Sequence, residues 1–308
     1  MNVGRFTAVE TVGALRDFSE DAELAVKALK AFSGRIDKQA AVDTGATAAI
    51  VAAIHAHAAV SNVVHYGCRA LAYISLLPAG QQAAIDANAA ATIVAAMRAH
   101  KSDADVAYDG CWALANIASL PAGQQAAIDA GAAATIVAAM RAHESDANVA
   151  YNGCGALANI ADLPAGQQAA IVAVAVSVIV AAMRAHKSVA DVAHFGCRAL
   201  NNIVIIPAGK QAAIDADAAA TVVAAMRAHK SVADVAHYGC GGRWAALRRS
   251  PLVDNLRSMQ VRPLLLSPPC ACTRVLLMLQ TSGVVRWAIL RFLSLVSRLL
   301  SLRARFKS

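Results

Sequence analysis

Two residue types recur in a register regular enough to suggest chemistry. Gly-Cys pairs stand at Gly67-Cys68, Gly110-Cys111, Gly153-Cys154, Gly196-Cys197 and Gly239-Cys240, each 43 residues after the last. Histidines keep the same interval at His57, His100, His143, His186 and His229. Thiols in a ladder suggest metal or redox chemistry, and imidazoles are common metal ligands. Geometry argues against both readings. Stacked helical repeats lie about 10 Å apart, whereas a disulfide needs Cα atoms within about 7 Å, and shared zinc ligation is tighter still. The cysteines therefore read as small buried apolar residues, with thiols kept reduced as in cytosol or nucleus. The histidines read as solvated residues at helix C-termini, where positive charge complements the helix dipole. His55-Ala56-His57 and Cys270-Ala271-Cys272 each lack a second pair at ligand spacing. No Gly-rich phosphate loop, nucleophile elbow or paired-carboxylate motif occurs. The expectation is a protein that is not an enzyme and uses no cofactor or metal.

The elements that position these residues follow from the same repeat. Pro-Ala-Gly recurs at Pro78, Pro121, Pro164 and Pro207, and Met-Arg-Ala-His at Met97, Met140, Met183 and Met226, again 43 apart. That period lies in the range of helical solenoid repeats. In the unit 121–163, Pro121 suits the first position of a short helix, and Gly131 supplies a left-handed residue to end it. A second helix runs from Ala132 to His143, burying Ile136, Val137 and Met140. A third starts at Ser145, with Asn148 three positions on. The equivalent pairs Ser102/Asp105, Ser188/Asp191 and Ser231/Asp234 have capping-box spacing, and Val149, Cys154, Leu157 and Ile160 face inward. Gly153 lets a neighbouring helix approach closely. Gly131 is matched by Gly45, Asn88, Val174 and Asp217. Valine does not tolerate the left-handed conformation, so the unit 164–206 is expected to be irregular there, its first two helices running together.

Gly131-Ala132 before the second helix, and Gly110-Cys111-Trp112-Ala113-Leu114-Ala115-Asn116-Ile117-Ala118 in the third, resemble the armadillo repeat family over roughly residues 8–240. The resemblance implies an all-α, right-handed superhelical solenoid of three-helix repeats whose third helices line the concave face. Its expected divisions are a partial leading unit (1–34), an array of four full units and a truncated one (35–249), and a separate tail (250–308). Spacing i, i+4 places Trp112 and Asn116 on one exposed side of the third helix. This resembles the pair by which importin-α-like arrays hold extended basic peptides, the asparagine on the peptide main chain and the tryptophan on basic side chains. Asn159 and Asn202 continue the asparagine ladder, and Tyr73 stands in its place one unit earlier. Arg69, Gly155 and Arg198 replace the tryptophan. The implied peptide-binding stripe is Arg69, Tyr73, Trp112, Asn116, Asn159, Arg198 and Asn202. The same asparagines read equally as repeat consensus that bonds neighbouring helices. One position before each Gly-Cys pair, Tyr66, Asp109, Asn152, Phe195 and Tyr238 vary, as partner-discriminating positions or as drift.

Composition bounds the rest. Of 308 residues, 58% are hydrophobic and only 16% charged, which excludes a disordered chain, and seven cysteines are too dilute for a disulfide scaffold. The net charge of +8 is unevenly held: residues 1–240 carry 16 Lys+Arg against 19 Asp+Glu, while 241–308 carry 12 against Asp254 alone. A nucleic-acid-binding surface would not divide this way, and no nucleic-acid partner is expected. Prolines 251, 263, 268 and 269 break the start of the tail. Its end has the pattern expected of a basic amphipathic helix, with Arg286, Arg291, Arg298 and Arg305 on one side and Phe292, Leu295, Val296, Leu299 and Leu302 on the other. Three readings stand open for it: a cap on the array, a surface helix on an anionic membrane (residues 274–306) or for a calmodulin-like partner, or a segment without a fold. The functional expectation is a scaffold in cytoplasm or nucleus. It binds a protein or peptide partner, basic in the importin-like case, along the third-helix face. The alternative is a membrane-associated adaptor docked through its tail.

Overall fold

The computed structural model describes residues 7–17, 20–34 and 36–239; 79% of these are helical and none lies in a strand. A leading pair, α1 (Ala8–Asp17) and α2 (Ala22–Phe32), is followed by five helix triplets. These are α3 (Lys38–Asp43), α4 (Ala46–Ala56) and α5 (Ser61–Ile74); α6 (Pro78–Asp86), α7 (Ala89–Ala99) and α8 (Ala104–Ile117); and α9 (Pro121–Asp129), α10 (Ala132–Ala142) and α11 (Ala147–Ile160). Then come α12 (Pro164–Val172), α13 (Ala175–Ala185) and α14 (Ala190–Ile203), and α15 (Pro207–Asp215), α16 (Ala218–Ala228) and α17 (Ala233–Gly239). Like helices stack on like. The third helices, with α2 in their row, form the most closely packed layer, second helices the next, and the short first helices the loosest.

Local sequence explains each boundary. Pro78, Pro121, Pro164 and Pro207 open the first helices at a position where an amide proton would have no intrahelical partner. The glycine two residues on is dictated by contact: a Cβ at Gly123 would lie 1.9 Å from the carbonyl oxygen of Ile117, and one at Gly166 would lie 1.8 Å from that of Ile160. Each first helix thus lies directly against the end of the preceding third helix. The second sharp turn, between first and second helices, is left-handed at Gly45, Asn88, Gly131 and Asp217. It is also left-handed at Val174, with φ of 59°. The expected merging of the first two helices of the unit 164–206 therefore does not occur. α12 and α13 stay separate and meet at 75°, because stacking on both neighbours imposes the turn on a β-branched residue that disfavours it.

Third-helix starts also differ from expectation by one residue. The caps are Asp103 and Asp146, whose carboxylates accept hydrogen bonds from the amides of Asp105 and Val106 and of Asn148 and Val149. Asp105 and Asp191 lie in the first turn, where negative charge complements the dipole, and do not close a capping box with the serines. In the unit 164–206 the cap position is Val189, with no side-chain bond.

One continuous core runs through the stack. Leu71, Leu114, Leu157 and Leu200 are fully buried, as are Ile93, Ile136 and Ile179 of the second helices. Gly110, Gly153 and Gly196 let second and third helices of one repeat touch: a Cβ at Gly153 would lie 2.7 Å from Met140 Sδ. The tail beyond residue 239, with its prolines and its amphipathic stretch, lies outside the described residues. Among those described, no single helix is long and apolar enough to cross a membrane.

Two substitutions check this account by chemical denaturation. Val174→Gly relieves the left-handed strain and is expected to stabilise by about 1 kcal/mol. Gly166→Ala forces a methyl group into a backbone carbonyl and is expected to destabilise by about 2 kcal/mol or more.

Candidate peptide-binding face

Four stacked helices carry the stripe expected from sequence. Arg69 and Tyr73 lie on α5, Trp112 and Asn116 on α8, Asn159 on α11, and Arg198 and Asn202 on α14. Arg69 is exposed; Tyr73, Trp112, Asn116, Asn159 and Arg198 are half-buried; Asn202 is buried. The structure shows what the asparagines do within the array. The side-chain amide of Asn116 donates to Ala72 O (2.9 Å), that of Asn159 to Ala115 O (2.7 Å), and that of Asn202 to Ala158 O (3.0 Å). Each reaches back to the C-terminal turn of the preceding third helix, whose last carbonyls have no intrahelical partner. At the far end Asp162 gathers the stripe's last two members: Asn202 Nδ2 lies 2.6 Å from Oδ1, and Arg198 Nη2 lies 3.3 Å from Oδ2.

The aromatic side of the stripe is more open. Tyr108 and Trp112 stack with centroids 6.3 Å apart, with the exposed carboxylate of Asp105 one turn before Tyr108. The missing tryptophan at Gly155 has a local reason: Phe195 of the next repeat leans into that space, 3.4 Å from where a Cβ would be, and meets Tyr151 edge-on at 5.2 Å. At the other end two lysines lie over tyrosine rings, Lys30 at 4.4 Å from Tyr66 and Lys38 at 4.7 Å from Tyr73.

Sequence reasoning missed a buried ionisable pair. Asp109 is fully buried, and its Oδ2 lies 2.9 Å from His65 Nε2 on the preceding third helix. Burial holds the Asp109 carboxyl above the usual aspartate range. His65 and Arg69 pull it back down, and Asp105 pushes it further up. Beside it, the Ser61 hydroxyl donates to the capping carboxylate of Asp103 across the same joint. His65 and Asp109 stand 44 residues apart, as each bonded asparagine does from its carbonyl, so that offset is the signal that would have found them.

The two ladders resolve differently. Cys68, Cys111, Cys154 and Cys197 are fully buried and in no disulfide. Burial pushes the Cys111 thiol up to about 12 and raises those of Cys68 and Cys154 as well. Thiolates are then scarce at neutral pH, so the chemistry of these residues is packing. No group of three or more metal-ligating side chains converges among the described residues. The histidines are not merely solvated. Nε2–H of His100 donates to Ala58 O (2.7 Å), and the same bond joins His143 to Lys101, His186 to Glu144 and His229 to Lys187. They are ties between successive repeats.

An unbroken stack of three-helix blocks with a left-handed turn before each second helix defines an armadillo-type solenoid. A family model described as LRRK2 ARM repeat matches residues 80–242, more than half of the chain, and the protein belongs to that armadillo-repeat family. Among solved structures, an engineered protein, Northeast Structural Genomics Consortium target OR329, is similar at 27% identity and a TM-score of 0.64. The match covers 78% of this chain and 95% of that one. No curated protein matches significantly.

Two stability measurements follow. Asn159→Ala removes one inter-repeat bond and is expected to cost about 1 kcal/mol in denaturant unfolding. Asp109 makes stability depend on pH. A carboxyl whose folded pKa lies above its unfolded value binds more protons when folded, so its contribution to stability falls as pH rises through that interval. Asp109→Asn, which installs the residue that Asn152 supplies one repeat later, is expected to raise the thermal midpoint. The gain should be larger at pH 7 than at pH 4.

Proposed function

We propose that this protein is a non-catalytic interaction scaffold that holds an extended basic segment of a protein partner along its third-helix face. The armadillo solenoid supports the general role, since its repeats present one long side-chain-lined surface. The observation that carries the finer reading is the pair of lysines over Tyr66 and Tyr73. The rings of this stripe already accept ammonium groups from their own chain, an attraction worth about 0.5–1 kcal/mol at an exposed site. Further along, Tyr108 and Trp112 offer the same kind of surface beside Asp105, and no lysine or arginine of the described residues lies over them. A partner's lysine or arginine would rest on these rings with its charge toward the carboxylate.

This assignment shifts the roles within the stripe. The amide protons of Asn116 and Asn159 are engaged by the preceding helix, so these asparagines hold the face in shape, and Trp112, Tyr108 and Asp105 supply most of the recognition. Arg69 sets the far limit of the basic-binding stretch by repulsion. The surroundings that suit such a scaffold are cytoplasm or nucleus, where buried thiols stay reduced.

Fluorescence anisotropy with a labelled eight-residue Lys/Arg-rich peptide, and with its Glu-substituted counterpart, tests the reading. The full chain should bind the basic peptide, and Trp112→Ala should weaken binding by about tenfold, the loss of one well-seated cation–π contact and its buried area. Equal binding of both peptides, or a Trp112→Ala variant that binds as well as the parent, would overturn it.

A further inference from the structure

One block of the array departs from its siblings through the turn between its first two helices. Residues 171–180 read Ile-Val-Ala-Val-Ala-Val-Ser-Val-Ile-Val, where the preceding unit has Ile-Asp-Ala-Gly-Ala-Ala-Ala-Thr-Ile-Val. Asp129 becomes Val172, Gly131 becomes Val174, and Thr135 becomes Val178. These exchanges have a common effect on one side chain of the repeat before. At the preceding joint, Arg98 donates through Nε to Thr135 Oγ1 (2.9 Å) and through Nη2 to Gly131 O (3.3 Å). At the following joint, Arg184 donates to Thr221 Oγ1 (2.9 Å) and Asp217 O (3.3 Å). Arg141 holds the same register between them and makes no such bond. Val178 has no oxygen to offer. A Cβ at Gly131 would lie only 2.9 Å from Arg98 Nη2; Asp217 carries one at its joint and offsets the crowding by accepting from Arg184 Nη2 through Oδ2 (3.4 Å), whereas Val174 has no acceptor to offer.

The displaced arginine leaves an opening. The cleft between α10 and α13, lined by Met140, Arg141, Ala150, Ser177, Val178 and Ala182 among others, has a volume of about 570 Å³. Its counterpart one joint earlier, where Arg98 is seated on Thr135, has about 210 Å³. The turn between the block's first two helices also exposes two large apolar side chains, Val172 at 72% and Val174 at 53%, the latter lining the neighbouring cleft toward α15. An apolar floor, an exposed apolar flank and an unpaired guanidinium together have the composition of a recognition site.

We propose that the cleft between α10 and α13 is a second docking site, separate from the third-helix face. Its occupant is a partner peptide segment in which an aliphatic side chain stands beside a carboxylate. The aliphatic group fills the space over Met140, Val178 and Ala182, and the carboxylate pairs with Arg141. Glu144 also lines the cleft and opposes the carboxylate, which restricts the acidic group to the Arg141 side and gives the site a polarity.

Chemical-shift titration of the ¹⁵N-labelled full chain with acetyl-Ala-Leu-Asp-Leu-Ala-amide, and with its neutral Asn analogue, tests this. The acidic peptide should shift the amides of Ser145, Ser177 and Ala182 saturably, and the neutral one should bind at least fivefold more weakly. Val178→Thr restores the residue that Thr135 and Thr221 supply elsewhere, so the fold tolerates it; it should reseat Arg141 and weaken the acidic peptide fivefold or more. Glu144→Gln should strengthen it. Equal affinity for the two peptides, an unchanged Val178→Thr variant, or matching shifts at Ala134 and Ala138 of the preceding joint would overturn the proposal.

Discussion

The array depends on side chains that reach into the adjoining block to bond its backbone or a hydroxyl. Asparagines of the third helices span 44 residues to a helix-end carbonyl, histidines at second-helix ends span 42 to a loop carbonyl, and Arg98 and Arg184 span 37 to a threonine. Each bond contributes only about 1 kcal/mol net, far less than the apolar burial at every joint. Burial alone does not fix how one block sits on the next, since alanine-rich surfaces slide with little penalty. The directional bonds select one register, and glycines at Gly123 and Gly166, set against the end of the preceding third helix, bring adjoining blocks close enough for that register to be the packed one.

Much of this organisation was legible before any coordinates. The 43-residue period, three helices per block, the buried leucines and cysteines and the close approach at Gly153 all follow from residue types at fixed spacing. The face of the third helix bearing Trp112 and Asn116 was legible too. The relation between blocks was not. A period states how far apart equivalent residues lie, not which position of one block meets which position of the next. The work of Asn116, His100 and Asp109 therefore appears only when the offsets of 44 and 42 are seen. The cap moved from Ser102 to Asp103 for a smaller reason, as both residues have the chemistry and only the turn geometry decides. Val174 shows the opposite limit: local preference was read correctly, and the tertiary stack overrode it.

What distinguishes one joint from another, in so uniform an array, is a departure from the common block. Gly155 admits Phe195 and interrupts the aromatic row. Asp109 places a carboxyl in the core where neighbouring blocks have Tyr66 or Asn152. Val174 and Val178 unseat an arginine. Each exchange alters one joint and leaves the helices on either side in place, because no block touches more than its nearest neighbours. Such a framework tolerates strain or a buried charge at one joint without loss of the whole.

The ties of fixed reach have a further consequence. Since the asparagine and histidine ties begin in one block and end on a backbone carbonyl at the equivalent place in the adjoining one, removing or copying a complete 43-residue segment leaves these donors an acceptor of the same kind, whereas an arginine keeps its tie only where the next block supplies a threonine. The molecule's reach is thereby quantised. Its length changes in whole steps through gain or loss of DNA segments in frame, and each step preserves the seams.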